Sequence, residues 1–420
     1  MDRAVSDAKS TTNAPLVTHP LRKMVGRDPH ESHRVATSLE LLFDLTFVIA
    51  FSEAGNAFAH LVMEGHVAPA LMGFGFCTFA VCWAWVNFTW FASAYDTDDW
   101  VYRLTTMVQM IGVLVLAMGV PAVFASFDAG GHLHNETMVL GYVIMRVAML
   151  VQWLRAAKQD ASRARTCYAY AQSIAVAQVG WTLLVLFDPP LAATAAIGAV
   201  LVVVEMLGPW RAEQRGGTPW HAHHVAERYG LMAIITLGEC LLGTIASLTV
   251  AVERDGWTLD AALVGLAGTL LTFGMWWIYG ILPSAEVLHH HRSKAFPWGY
   301  GHIFLFGAIA AAGAGLHVAA YFIEGVAHIG SFGAVLAVLV PVASYGVMLQ
   351  WLYRGLMGAD PLHTKVGLAT FAVYALVLGL AWSGVSVPIC LLLLTLAPVV
   401  AIVTDERIGA RHRAEKLAKL

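Results

Sequence analysis

The stretch from Glu40 to Glu53 is apolar enough to enter a membrane, yet it contains three carboxylates, Glu40, Asp44 and Glu53. An ionised carboxylate at the centre of a bilayer costs at least ~2.5–3.5 kcal/mol. A helix that faces lipid could not carry three of them, so these side chains must face protein, water or a counter-charge. The stretch therefore predicts a transmembrane helix in the middle of a helical bundle.

The composition favours a membrane protein throughout. Of the 420 residues, 58% are hydrophobic and only 13% are charged, whereas soluble domains average about 25% charged residues. The five cysteines lie in apolar runs without CxxC spacing, which is typical of buried free thiols. No nucleotide-binding glycine loop, nucleophile motif or HExxH is present, so we expect no catalytic residue, cofactor or metal site and no ATP-driven transport.

Apolar runs of about 20 residues span a ~30 Å hydrocarbon core as helices. The chain has twelve such runs, which predicts an all-α integral membrane protein. We place the spans at 38–62, 69–93, 102–125, 136–157, 166–187, 190–208, 222–248, 260–282, 297–323, 331–353, 362–381 and 386–404.

The distribution of basic residues predicts the orientation. With twelve spans, the two termini and the loops on their side collect nearly all of the lysines and arginines outside the helices, and the other side has only Arg254. By the positive-inside rule, both termini are then cytoplasmic in a bacterial inner (plasma) membrane. No leader with a small-residue cleavage site precedes the first span, so we expect that span to remain as an anchor.

The second half of the chain echoes the first. The pattern Phe43-x-Leu45-x-x-Val48-Ile49-x-Phe51-Ser52-Glu53 aligns with Tyr229-x-Leu231-x-x-Ile234-Ile235-x-Leu237-Gly238-Glu239, although Gly230 stands where the first copy has Asp44. Because each unit holds six helices, the two units would insert the same way up as parallel repeats. The predicted organisation is an N-terminal polar tail, two six-helix repeats and a basic C-terminal tail, at 1–37, 38–210, 222–404 and 405–420. Chance similarity between apolar helices is the alternative.

Helical periodicity sorts the charges of the first and seventh helices. Glu40 and Asp44 share one face, whereas Glu53 points about 180° away from Asp44. In the seventh helix, His224, Arg228 and Glu239 share a face, with Glu239 at about the depth of Glu53. We expect Glu227 and Arg228 to pair locally at the helix entry. Glu53 and Glu239, being deeper, are candidates for a transport path rather than for packing.

Arg146 lies near the middle of the fourth helix and cannot shed its charge. It therefore needs a carboxylate partner, and the candidates are Glu53, Glu205 and Asp44. We expect the partner to be an acid of the first helix, with Glu53 as the first choice. Glu205 is expected to lie within reach of the cytoplasmic interface and to be solvated there.

Two further groups of polar residues have open roles. Asp96, Asp98 and Asp99 precede the third helix, where they either cap it or form a vestibule that collects cations. His224, His302 and His317 either form a proton path or are satisfied core histidines. His289-His290-His291 is interpreted as a surface run with adventitious metal affinity, since adjacent histidines do not share a helix face.

Four stretches, taken in order, resemble the low temperature requirement protein A family over roughly 35–405. The family's acidic helix usually reads Glu-Leu-Phe-Phe-Asp, and Leu42 replaces the first Phe here. The resemblance implies a bacterial inner-membrane protein and no specific biochemical activity. The stretches are Glu40 to Glu53, Trp83-x-Trp85 to Phe91, Asp96-Thr97-Asp98-Asp99 with Arg103, and His224-x-x-Glu227-Arg228-x-Gly230-Leu231 to Gly238-Glu239.

The leading hypothesis is an ion- or proton-linked transporter or channel, with the lipid bilayer and a monovalent cation or proton as partners. One alternative is an intramembrane enzyme that acts on a lipid-linked substrate, with Asp44 or Glu53 and His302 or His317 as acid–base groups. Another is a membrane scaffold or stress-related sensor whose buried charges only specify packing. Nucleic acid is not expected as a partner, and oligomer formation is left open.

Overall fold

The structure is a computed structural model that describes residues 18–32 and 34–420. Across these residues the fold is all-α and contains no strand, only an isolated bridge between His132 and Pro190. Twelve helical segments are long and apolar enough to cross a membrane, as the sequence predicts. Part of the predicted N-terminal tail, residues 1–17 and 33, lies outside the described residues.

Fifteen α-helices make up the twelve spans, because the eighth and the last span are interrupted. α8 and α9 form the eighth span, a 3-10 turn at Arg292–Lys294 leads into α10, and α13 to α15 form the last span with a π-turn at Asp405–Gly409. The helices are α1 Ser38–Met63, α2 Val67–Tyr95, α3 Trp100–Ala129, α4 Glu136–Gln159, α5 Ala164–Phe187, α6 Leu191–Glu213, α7 Ala222–Asp255, α8 Leu259–Tyr279, α9 Ser284–His290, α10 Ala295–Glu324, α11 Ser331–Met357, α12 Pro361–Trp382, α13 Val387–Leu394, α14 Leu396–Thr404 and α15 Ala410–Leu417.

Several helices run past the predicted spans. α6 continues to Glu213 instead of 208, and α7 continues to Asp255 instead of 248. The reason is that hydropathy reports the thickness of the hydrocarbon layer, whereas a helix continues into the polar interface as long as its backbone hydrogen bonds do. The predicted span 386–404 is divided at Thr395.

The two ends of the bundle have separate sets of contacts. At the tail end, defined by residues 18–36, the backbone N–H of Arg22 donates to Asp99, that of Gly26 donates to Asp160, and the His221 ring lies 2.9 Å from the Glu31 carbonyl oxygen. At the far end, His66 lies 2.8 Å from Asp128, His132 lies 3.0 Å from Asp188, and the His328 N–H donates to the Met63 carbonyl. Successive helices therefore alternate in direction. The side of the membrane that each end faces stays a prediction.

The prediction that the first helix lies in the middle of the bundle is wrong: α1 buries the face that carries Glu40 and Asp44, but its opposite face is exposed at Leu45 and Ile49. The most buried span is the ninth, which contains α10. α1 packs against α2, α3, α7 and α10. α7 and α10 form a close pair because Gly313 has no side chain: a Cβ atom there would lie 2.6 Å from the carbonyl carbon of Glu239. This glycine lets the two backbones approach, in the way that small residues do between membrane helices.

The two-repeat arrangement stays a prediction. α1 packs with α3 and α3 with α4, and in the second half α7 packs with α10 and α10 with α11. These pairs occupy equivalent places in the two predicted units. Antiparallel bundles of other ancestry contain such neighbours too, so the pairings do not establish a symmetry axis.

Two variants, each with one added cysteine, test whether successive helices alternate in direction. Ala161→Cys lies at the tail end and Ser383→Cys at the far end, and both positions are exposed, whereas all five native cysteines are buried. In intact cells an impermeant thiol reagent should modify Ser383→Cys and leave Ala161→Cys unmodified, with wild type as the unlabelled control. Equal modification of both variants would contradict the twelve-span path, and modification of Ala161→Cys alone would reverse the predicted orientation.

Candidate functional site: buried charges between α1 and α7

The first turn of α1 fixes the position of Glu40. Thr37 caps the helix by accepting from the Glu40 N–H at 3.3 Å, and Glu40 Oε2 accepts from the Thr37 N–H at 2.7 Å. This reciprocal capping box satisfies two backbone N–H groups that have no partner inside the helix. It also turns the second carboxylate oxygen, Oε1, toward α7.

Arg228 of α7 is fully buried between two acids of α1. Its Nη1 lies 3.0 Å from Glu40 Oε1, while Nε donates to Asp44 Oδ2 at 3.1 Å and Nη2 donates to Asp44 Oδ1. The four-residue spacing of Glu40 and Asp44 places both on the face toward α7. Trp85 of α2 donates its indole N–H to Asp44 at 2.6 Å. Three helices therefore meet at this arginine.

Three more side chains complete the charge cluster, which we define as Arg34, Glu40, Asp44, Asp96, His224 and Arg228. His224 Nε2 lies 3.1 Å from Glu40 Oε1, and both residues are fully buried. Arg34 Nη2 lies 3.5 Å from Glu40 Oε1 and 3.4 Å from Asp96 Oδ2. The cluster thus contains three carboxylates and two guanidinium groups, so with neutral His224 it is one positive charge short of balance.

Asp96 lies between α2 and α3 and contacts two arginines of the polar tail, Arg27 at 3.8 Å and Arg34 at 3.4 Å. Burial, together with the neighbouring Glu40 carboxylate, raises the pKa of Asp96 to about 6, although Arg34 and Arg27 act to lower it. This carboxyl group can therefore take up a proton just below neutral pH, and that proton would remove the charge imbalance of the cluster.

The three aspartates before α3 have three different environments. Asp99 caps α3 by accepting from the Tyr102 N–H at 2.9 Å, as one of the two predicted roles requires. Burial alone would raise its pKa, but hydrogen bonds from Arg155 and from the backbone of Tyr102 and Arg22 lower the pKa to about 2. Asp98 is half-exposed and pairs with Arg103 at 2.8 Å. Asp96, by contrast, belongs to the charge cluster.

The predicted local pair between Glu227 and Arg228 is wrong. Arg228 is buried against α1, and Glu227 accepts instead from the backbone N–H of Ala36 at 3.3 Å. The sequence did carry a signal for this: His224 and Arg228 have the same four-residue spacing as Glu40 and Asp44. When two neighbouring helices carry opposite charges at the same spacing on their buried faces, each charge is expected to pair with the one opposite it.

The predicted contact between Arg146 and an acid of the first helix is also wrong. Arg146 pairs with Glu205 of α6, and each residue is only 3% exposed. α4 packs mainly against α3 and α5, whereas α1 lies against α2, α3, α7 and α10, so the ion pair forms away from α1. The prediction that Glu205 is solvated is wrong as well, because its side chain is buried. Within 18–32 and 34–420, Glu53 makes no ion pair of 4.0 Å or less and is partly exposed.

Glu239 is a buried carboxylate without a cationic partner. It is 4% exposed and accepts a hydrogen bond from the Ser52 hydroxyl at 2.6 Å. No lysine, arginine or histidine nitrogen among the described residues lies within 4.0 Å of it. Ser52 precedes Glu53, so Glu239 lies at the depth that helical geometry predicts.

The histidines of the predicted proton path are in separate places. His224 belongs to the charge cluster. His302 is fully buried and satisfied: its Nδ1 donates to the Trp298 carbonyl at 2.8 Å, so Nε2 accepts from the Tyr279 hydroxyl at 3.1 Å. His317 is partly buried on α10. His289 lies beside His30 and His223, and within the described part of the chain no group of three or more histidine, cysteine or acidic residues is arranged to hold a metal.

Arg228→Met tests whether the charge cluster holds α1 against α7. Removal of the guanidinium leaves Glu40 and Asp44 buried and unpaired, which should lower the free energy of unfolding by about 3–5 kcal/mol. Arg254→Met is the matched control, because Arg254 is an exposed arginine on the same helix and should change stability by less than about 1 kcal/mol. Equal melting temperatures of the two variants in detergent would contradict the assignment.

The Arg146–Glu205 pair has a sharper test. Arg146→Met should lower the melting temperature, and the addition of Glu205→Met should restore most of the loss, because replacing both buried charges by apolar side chains is nearly neutral. Arg146→Met with Glu53→Met is the control and should show no recovery. Recovery with Glu53→Met instead would show that Glu53 is the partner.

Asp96→Asn tests the raised pKa of Asp96. The folded chain holds this proton more tightly than the unfolded chain, whose ordinary pKa is 3.8. The proton on Asp96 therefore stabilises the folded state fully below pH 3.8, and this stabilisation is lost as the pH rises through about 6. The free energy of unfolding of wild type should therefore fall relative to Asp96→Asn by up to about 3 kcal/mol between pH 4 and pH 7. Parallel curves of melting temperature against pH would contradict the shift.

Comparison with known proteins agrees with the ordered motifs. Residues 35–398 match the family described as bacterial low temperature requirement A protein, LtrA. The protein RA0937 of Rhizobium meliloti (strain 1021) is 28% identical over 274 residues, which is 62% of this chain and 61% of that protein. The chain thus spans less than two thirds of the length of this relative. No solved structure matches the chain. With residues 35–398 matched, a range that includes Glu239 and every member of the charge cluster except Arg34, the chain belongs to the bacterial low temperature requirement A (LtrA) family.

Proposed function

We propose that this protein is a proton-linked membrane transporter in which Glu239 carries the proton. The observation that supports this most directly is the isolation of Glu239, a carboxylate deep in the bundle whose one hydrogen-bond donor is Ser52 among the residues described. An ionised carboxylate without a counter-charge is costly in the membrane. A site that must be neutralised to stay buried is suited to binding and releasing a positive charge.

A proton fits Glu239 better than a metal cation does. Hard cations such as Ca²⁺ and Mg²⁺ take six or more oxygen ligands, but the one hydrogen bond to the Glu239 carboxylate from the described residues comes from the Ser52 hydroxyl. A protonated carboxyl group needs one acceptor or donor partner, and the serine hydroxyl can act as either. Within the described residues, no group of three or more histidine, cysteine or acidic side chains is placed to hold a metal ion.

The charge cluster supplies a second place for a proton, at Asp96 between α2 and α3. Asp44 and Ser52 are eight positions apart on α1, which corresponds to about 12 Å along the axis. The cluster has one carboxylate more than it has guanidinium groups, and Asp96 at its edge titrates near pH 6. Two proton sites at different depths are what a stepwise proton transfer through the bundle requires.

The segment between the two sites is apolar in this conformation. Phe47 and Phe51 of α1 are both 1% exposed, and the Trp85 ring packs edge-on against Phe306 at 5.7 Å. A continuous water-filled pore would need polar or open space there. The packing therefore favours a carrier, in which a change of conformation connects the two sites, over an open channel.

Proton flux in liposomes tests the proposal. Purified protein reconstituted with an internal pH dye should move protons when a panel of small solutes is offered as a gradient. Glu239→Gln should abolish this flux, because the amide keeps the shape and the contact with Ser52 but cannot exchange a proton. Glu253→Gln is the control, since Glu253 is an exposed acid on the same helix.

The flux experiment has three possible outcomes. Flux in wild type and Glu253→Gln with none in Glu239→Gln supports the proposal. Equal flux in all three proteins would show that Glu239 is not the carrier group. Absence of flux in wild type with every solute would reject transport, and product formation from membrane lipid would then favour the intramembrane enzyme.

A further inference from the structure

A cavity of about 400 Å³ lies at the tail end of the bundle. Its wall is formed by the second half of α2, by Tyr170 of α5, by the end of α6 with the loop that follows it, and by the start of α10. Neither Glu239 nor any member of the charge cluster lines it, so it is a separate site. Its volume is within the range of ~300–1,000 Å³ that is typical of small-molecule sites.

Six aromatic side chains line this cavity and offer ring faces and edges for stacking. Trp90 lies edge-on to Trp220, with 4.9 Å between the ring centres. The Trp90 indole N–H donates to the Tyr229 hydroxyl at 3.1 Å, which holds the ring in place. Rigid aromatic walls of this kind favour a ligand that has a flat ring. The six residues are Trp83, Trp90, Tyr170, Trp220, Phe296 and Tyr300.

Arg292 is a cation on the wall of this cavity and has no acidic partner. Its guanidinium lies 3.7 Å from the centre of the Trp220 ring, and its Nη2 donates to the Trp220 carbonyl at 3.0 Å. Stacking occupies a face of the guanidinium and leaves its other in-plane N–H groups available. No carboxylate oxygen among the described residues lies within 4.0 Å of it. Arg292 can therefore donate charge-assisted hydrogen bonds to the carboxylate of a ligand.

Glu213 supplies the opposite charge on the same wall. Its carboxylate accepts from the Tyr170 hydroxyl at 2.9 Å, from the Thr218 hydroxyl at 2.7 Å and from the Thr218 N–H at 3.0 Å. These bonds fix its position, but within the described part of the chain no lysine, arginine or histidine nitrogen lies within 4.0 Å of it. A carboxylate has about four acceptor sites, so Glu213 can still accept from an ammonium group.

We propose that this cavity binds a zwitterionic aromatic molecule of the amino-acid class, with its carboxylate at Arg292 and its ammonium at Glu213. The two charges of the wall have opposite signs and do not pair with each other, so a ligand that carries both charges compensates both at once. A ligand with a single charge leaves one of them without a partner. The site goes beyond the proposed function, because Glu239 and the charge cluster take no part in it.

Calorimetry on the purified wild-type protein tests the site with three probes that share an indole ring. Tryptophan carries both charges, indole-3-propionate carries only the carboxylate, and tryptamine carries only the ammonium. Tryptophan should bind, and each of the other two should bind about tenfold more weakly or worse, because one charge of the wall then lacks its partner. Glycine, which carries both charges without a ring, should not bind.

Two variants assign each charge of the ligand to its partner. Arg292→Gln should lower the affinity for tryptophan to about that for tryptamine and should not weaken tryptamine. Glu213→Gln should lower it to about that for indole-3-propionate and should not weaken indole-3-propionate. In each variant the probe that still binds shows that the protein is folded. Arg215→Gln changes an exposed arginine that does not line the cavity and should bind all three probes as wild type does.

Equal affinities of wild type for the three indole probes would overturn the proposal, as would the absence of tryptophan binding. Binding of phosphoethanolamine in place of tryptophan would also overturn it and would indicate that the cavity holds the head group of a membrane lipid. The proposed transport is judged separately, because calorimetry needs no flux. A protein that binds tryptophan as expected but moves no protons keeps this site, and only the role of Glu239 fails.

Discussion

Arg228 lies between Glu40 and Asp44 with all three side chains fully buried, and the position of α1 depends on this arrangement. Burying each charge alone would cost several kcal/mol, and only the mutual attraction and the additional hydrogen bonds offset that cost. Because the donors come from α7, α2 and the N-terminal segment, the face of α1 that carries Glu40 and Asp44 must lie against protein, whereas the opposite face is exposed at Leu45 and Ile49. The placement of α1 against α2 and α7 follows from these pairs.

The buried acids fall into two classes when their partners are compared. Asp44 receives two hydrogen bonds from Arg228 and one from Trp85, so its charge is compensated within the structure. Glu239 has the hydroxyl of Ser52 and no cation within the described residues. The first class stabilises a contact between helices. The second class has no structural reason to be charged, and this difference is the physical basis for placing the proton on Glu239.

Much of the fold could be predicted from the sequence because hydropathy and helical periodicity are local properties. The twelve spans and the shared faces of Glu40 with Asp44 and of His224 with Arg228 follow from spacing alone. The depth of Glu239 follows in the same way, since residue rise is constant along a helix. The ordered motifs were sufficient to identify the family.

The partners of the buried charges could not be predicted in the same way. Depth placed Arg146 near several acids, but whether Glu53 or Glu205 is its partner depends on which helices are neighbours, and that order is set by tertiary packing. Helix ends such as Asp255 were missed because charged residues can extend a helix beyond the hydrocarbon layer. Arg146 Nε and Nη1 are buried without a hydrogen-bond partner among the described residues, which is a property of packing that no spacing reveals.

Infrared difference spectroscopy on the purified protein tests most directly whether Glu239 holds a proton in the folded state. Wild type at neutral pH should show the C=O stretch of a protonated carboxyl group that is absent from Glu239→Gln, and Ser52→Ala should shift its frequency because the hydrogen bond to this group is removed. Identical spectra for wild type and Glu239→Gln would show that the carboxyl is ionised, and the account of this family member as a proton-linked transporter through Glu239 would then be wrong.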